Sequence, residues 1–155
     1  MENIPQLDVF EPSDRTALVC MDDASIDRIV VAQLRELNYK VHTGFSMDDL
    51  LHKMRAHPYD VIVIAENFGA TNLSENPLLA EVVSAPASQR HRQVVVLAGA
   101  GLKTADENQA FQHSVDVVIG LADIGSLHVI LKRAVNLAQQ FYGRYFEAIT
   151  AADVV

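Results

Sequence analysis

The sequence predicts an α/β protein built as a doubly wound sheet of five parallel strands, and three observations carry that prediction. Five short apolar runs recur along the chain: "TALVCM", "YKVHT", "YDVIVIA", "QVVVLAGAG" and "VDVVI". Stretches with apolar residues at helical spacing separate most of them, each long enough for a parallel crossover. The third and fourth runs, around Val61 to Ile64 and Val94 to Leu97, are apolar without a break, as strands covered on both faces require.

A polar, proline-containing arm takes residues 1–14, the α/β domain 15–138, and an extension of the last helix with its tail 139–155. After the arm, Thr16 to Met21 form a buried strand that Asp22 and Asp23 close. From Ser25 to Leu37, Ile26, Ile29, Val30, Leu34 and Leu37 recur at helical spacing, with Asp27, Arg28, Arg35 and Glu36 for the wet face. "YKVHT" is the second strand. Ser46 with Asp49 resembles a capping box for a helix through Leu50, Leu51 and Met54, which His57-Pro58 stops. Between the third and fourth strands only about Asn76 to Ser84 reads as helix, with Pro77 tolerated near its start and the remainder as loop. Thr104 with Glu107 offers another capping box ahead of Ala110 and Phe111; the fifth strand begins at Val115, and a long helix runs from about Asp123 to Ile149.

A chain of 155 residues, half of them apolar, suits one domain with a real core. Its 12 basic and 20 acidic residues give a net charge of −8, which repels nucleic acid and anionic lipid. Cys20 stands alone inside "ALVCM", so an internal disulfide and a cysteine-based zinc site are excluded and a buried thiol is expected. No apolar run approaches the roughly 20 residues of a membrane span. A soluble, cytoplasmic protein is the expectation.

In a doubly wound sheet the working site lies at the carboxyl ends of the strands. There the sequence resembles the receiver domains of two-component response regulators, over about Thr16 to Ala138, most strongly in "LVCMDDASIDRIVVAQLRELNYKVHTGFSMDDLLHKMRAHPYDVIVI". The resemblance implies a flavodoxin-like (CheY-like) fold, with Asp22 and Asp23 as the acidic pair after the first strand. It also implies a phosphoacceptor aspartate, a hydroxyl residue and a lysine after the third, fourth and fifth strands. The sequence departs at all three: Ala65 stands at the acceptor position, Ala98 at the hydroxyl position, and Gly120 or Leu121 where lysine is usual. A methyl group has no nucleophilic oxygen, so Ala65 takes no phosphoryl group. What the resemblance implies is a degenerate, non-phosphorylatable pseudo-receiver that acts through protein contacts, neither an enzyme nor dependent on a cofactor. Glu66, one residue on, would enter the pocket through a register slip and mimic a permanent negative charge. Asp22 and Asp23 make at most a weak Mg²⁺ site with Ala65 opposite, and the simpler assignment is that Asp22 caps the following helix.

Other candidate chemistry is thinner. "LAGAGLKT", Leu97 to Thr104, invites a phosphate-loop reading with Lys103, but Leu102 separates the lysine from the last glycine. Nucleotide or phosphate binding at that loop, or a receiver with an atypical acceptor, are the alternative functions. The histidines show no metal-ligand spacing and read mostly as surface residues. Along the last helix Leu127, Ile130, Ala134, Leu137, Phe141 and Ala148 make one apolar seam beside Tyr145. Leu137, Phe141, Tyr142, Tyr145 and Phe146 are the expected interface, with self-association as a homodimer; the competing assignment folds the cluster back onto Val9 and Phe10.

Overall fold

A computed structural model of the chain describes residues 10–44, 46–68 and 76–153, with the side chains of the last helix described as far as Gln140. Five parallel strands form one sheet in the order β2-β1-β3-β4-β5: β1 Arg15–Cys20, β2 Tyr39–His42, β3 Val61–Ala65, β4 Val94–Gly99 and β5 Val117–Gly120. The registers join Ala17 to Val61, Ala65 to Ala98 and Gly99 to Gly120. The doubly wound sheet is therefore as the apolar runs foretell.

Helices cover both faces. On one, α1 Ala24–Glu36 and α6 Leu127–Asp153 bury Val30, Leu34, Leu127 and Leu131 against Val19, Val63 and Val96. On the other, α2 Met47–Ala56, α3 Pro77–Val83 and α5 Glu107–His113 place Leu50, Leu78, Leu79 and Ala110 against Leu18, Ile62 and Leu97. A short α4, Ala87–Arg90, stands where loop is expected; Pro86 opens it with no side-chain cap, so the sequence carries little signal for it.

Helix starts follow local chemistry. Ser46 accepts from the Asp49 N–H as the capping box foretells. The expected box at Thr104 is not formed; Asp106 caps α5 by accepting from the Gln109 N–H at 3.0 Å. Between β5 and α6 lies a 3-10 turn, Leu121–Ser126. Buried Gln33 of α1 fixes that junction: its Nε2 donates to the Ile124 carbonyl at 2.7 Å, and its Oε1 accepts from the His128 N–H at 2.8 Å.

The last helix runs unbroken through Gly143. Its core face passes through Leu127 and Leu131, both fully buried, then Val135 and Ala138. The expected seam departs from this face, because an α-helix turns every 3.6 residues and a 3.5-residue repeat drifts around it. Leu137 is consequently 56% exposed. The side chains of Phe141, Tyr142, Tyr145 and Phe146 lie outside the described residues. Phe10 stacks on His42 with ring centres 3.9 Å apart; Val9, like the side chains of the aromatic cluster, lies outside the described residues.

Candidate functional site

The carboxyl ends of β1, β3, β4 and β5 meet at one edge of the sheet, and the residues that close these strands set its chemistry. Asp22 and Asp23 follow β1 and are exposed. The capping residue is Asp23, not Asp22: its Oδ1 accepts from the Ser25 N–H at 2.9 Å, the Ser25 hydroxyl at 2.6 Å and the Ile26 N–H at 3.2 Å. The Ser25 hydroxyl, helped by the two N–H groups, holds the Asp23 carboxyl below its ordinary range. Asp27, one turn further, is half-buried rather than on the wet face, and loss of water pushes its carboxyl up to about 6.

Ala65 ends β3 with 5% of its surface exposed, directly paired with Ala98, which is 1% exposed on β4. Alanine therefore stands at both strand ends, Ala65 packed in the core on the α2, α3 and α5 face and Ala98 in the core on the α1 and α6 face. Leu121, one residue past β5, packs partly buried against the core beside α1 and α6. It supplies no charge to the edge.

Glu66 keeps the ladder going, its N–H donating to the Ala98 carbonyl at 2.7 Å. Its side chain lies over the loop after β4, where Oε1 accepts from the Gly101 N–H at 3.4 Å. A Cβ at Gly99 would collide with that side chain, so glycine is what lets the carboxylate approach. The same carboxylate covers the backbone face that a phosphate-loop reading would give to an anion. Lys103 sends its N–H to Gln109 Oε1 at 2.7 Å.

The magnesium ion that receiver domains imply finds a poor fit. Asp23 Oδ1 already receives three donors, a methyl stands at Ala65, and among the described residues no three His, Cys, Asp or Glu side chains group to hold a metal. Glu66 therefore does not join Asp22 and Asp23 as a third ligand. Cys20 is buried, and burial pushes its thiol up, away from the thiolate that nucleophilic chemistry requires.

Four residues have roles that escape sequence reasoning. Buried Asn76 donates through Nδ2 to the carbonyls of Ala65 at 2.9 Å and Glu66 at 3.2 Å, clasping the end of β3. Thr104 accepts the Gly120 N–H at 2.9 Å and donates to Asp123 Oδ2 at 2.6 Å. His42 and His57 are half-buried around Phe10 and Tyr59 rather than plain surface residues. Only the cap function of Asn76, ahead of Pro77, has a sequence signal.

A five-stranded parallel sheet in this strand order, covered by helices on both faces, is the flavodoxin-like (CheY-like) fold. The chemotaxis response regulator CheY4 of Vibrio cholerae is similar with a TM-score of 0.61 at 17% identity, over 79% of this chain and 99% of that one. A CheY-like receiver domain protein of Methanospirillum hungatei gives 0.64 at 12% identity, over 83% and 98%. The receiver domain of a DNA-binding response regulator from Colwellia psychrerythraea gives 0.63 at 15% identity, over 79% and 99%. No protein-family model and no curated protein sequence matches the chain. Among the described residues no helix is long and apolar enough to cross a membrane.

Proposed function

We propose that this chain is a receiver-fold module of bacterial signalling that takes no phosphoryl group and works by docking to proteins, a second copy of itself among them. The pairing of Ala65 with Ala98 at the strand ends carries this reading. Phosphoryl transfer to a receiver edge needs an oxygen nucleophile and groups to hold the transferred charge. Here the strand ends carry two buried alanines with no oxygen, Leu121 is committed to the core, and Asp23 is committed to a helix cap.

The docking surface we assign is the groove between α5, β5 and α6. It encloses about 510 Å³ and is lined by Ala110, Val117, Ile130, Ala134 and Leu137, with Glu107 at its rim. Phe111, one helical turn from Glu107, is 87% exposed. Large apolar side chains held in water beside an apolar groove mark contact surfaces.

Incubation of the intact chain with acetyl phosphate and Mg²⁺, followed by intact-mass measurement, tests the central claim. The expected result is no added phosphate. A gain of one phosphate, localised to Glu66, would overturn it in favour of an atypical acceptor.

A further inference from the structure

The segment between β4 and α5 is held far more firmly than a connection of its length requires. Leu102 is buried, 8% exposed, and the Ala105 N–H donates to the Val118 carbonyl at 2.9 Å. Thr104 Oγ1 sits at the centre, accepting from the Gly120 N–H at 2.9 Å and donating to Asp123 Oδ2 at 2.6 Å. Gly120 has an ordinary extended backbone, φ −73°, so its lack of a side chain answers a different need. A Cβ there would stand 2.8 Å from the Leu102 carbonyl oxygen and 3.4 Å from Thr104 Oγ1. The loop lies directly on the end of β5, and only glycine admits it.

The helix that follows cannot place itself. With 7 residues, α5 is too short to be stable alone, and Ala110 is its one buried side chain. Its position is therefore set at its ends. At the far end Ser114, in the left-handed region at φ 57°, closes the helix and its carbonyl accepts from Arg90 Nη2 at 2.6 Å. At the near end stands the Thr104–Gly120 contact. We propose that Thr104 and Gly120 are positioning residues that staple the loop after β4 onto the end of β5, fixing α5 across the groove from α6 so that the groove is preformed for a second copy of this chain. This rests on the docking role assigned to that groove.

Hydrogen–deuterium exchange on the full chain tests the staple without reference to any partner. Thr104→Val, which keeps the shape and removes the hydroxyl, and Gly120→Ala, which keeps the backbone and removes the space, are each expected to raise exchange of the α5 amides at 107–113 about tenfold, leaving β1 and β3 unchanged. Thr104→Ser retains the hydroxyl and is expected to behave as wild type. Unchanged α5 amides in both variants, or an equal rise across every strand, would overturn the proposal. Sedimentation of the same variants reads the docking step: weaker self-association supports the staple's role in preforming the groove. Undiminished self-association with a loosened α5 sinks that role. A wild-type chain that stays monomeric removes the self-docking role while leaving the exchange result to test the staple alone.

Discussion

Asn76 uses both ends of its amide at the carboxyl edge of the sheet. Its Oδ1 accepts from the N–H groups of Leu78 at 3.0 Å and Leu79 at 3.3 Å, and its Nδ2 holds the last two carbonyls of the third-strand end. With 2% of the residue exposed, water cannot replace these bonds. Asn76→Ala is expected to cost about 2–3 kcal/mol, a lost helix cap plus carbonyls left without a donor. Asn76→Ser keeps a neutral cap oxygen and loses the amide donor, so its loss in urea denaturation should be smaller; equal losses would show that the cap contributes nothing. The two halves of this residue also show what a sequence can reveal at this scale. The cap is legible because Pro77 stands next to it, whereas the clasp joins Ala65 across 11 positions and no local pattern reports it. Ala65 itself was legible, since a continuous apolar strand fixes where its last residue falls. Asp23 was not separable from Asp22, because which of two adjacent acids caps a helix depends on backbone angles, here the extended φ −95° and ψ 115° of Asp23.

Among the elements, the meeting of β2, the end of α2 and the entry to β3 has the clearest pH sensitivity. Phe10 lies between His42 and His57, at 3.9 and 5.0 Å between ring centres, and Tyr59 completes the group. His42 Nδ1 is 2.9 Å from the Tyr59 hydroxyl, and His57 Nε2 is 3.1 Å from Thr16 Oγ1, which also donates to Asp60. Loss of water holds the His57 pKa below its usual value, outweighing the pull of Asp60, while His42 adds to the lowering. A folded pKa below the unfolded one means that the neutral ring is favoured. The stabilisation is present above about 6.5 and is lost as pH falls through that value toward the folded pKa. NMR titration of His57 should give a midpoint below 6.5, and Phe10→Ala, by letting water in, should move it upward; an unmoved midpoint would show that Phe10 does not shield the ring. Global stability is the wrong observable, because burial raises Asp27 and Asp116 and so adds stability as pH falls. None of this cluster was legible, since it gathers residues from the arm, a strand and two loops. The apolar strands and the amphipathic α1 were, because their signal is periodic and local.

At the scale of the whole molecule, charge and apolar surface pull in different directions. Two copies, each at −8, repel one another, so the proposed self-association needs a confined patch. The α5 flank of the groove carries Asp106 and Glu107 and the α6 flank carries Arg133. In the self-association proposed above, a twofold arrangement would set Asp106 and Glu107 of one copy against Arg133 of the other. Added salt screens both the net repulsion and this local attraction, so ionic strength discriminates poorly. Leu137 discriminates well. It lines the groove yet remains 56% exposed, so Leu137→Asp should cost the monomer only about 1 kcal/mol, in part-burial and helix propensity. In an interface core the same change buries an unpaired carboxylate and is expected to weaken association at least about a hundredfold. Sedimentation velocity over a range of concentrations, with urea denaturation as the control for folding, should show the variant as monomer where wild type dimerises. A dimer that survives Leu137→Asp would place the contact on another face and leave the groove without an occupant.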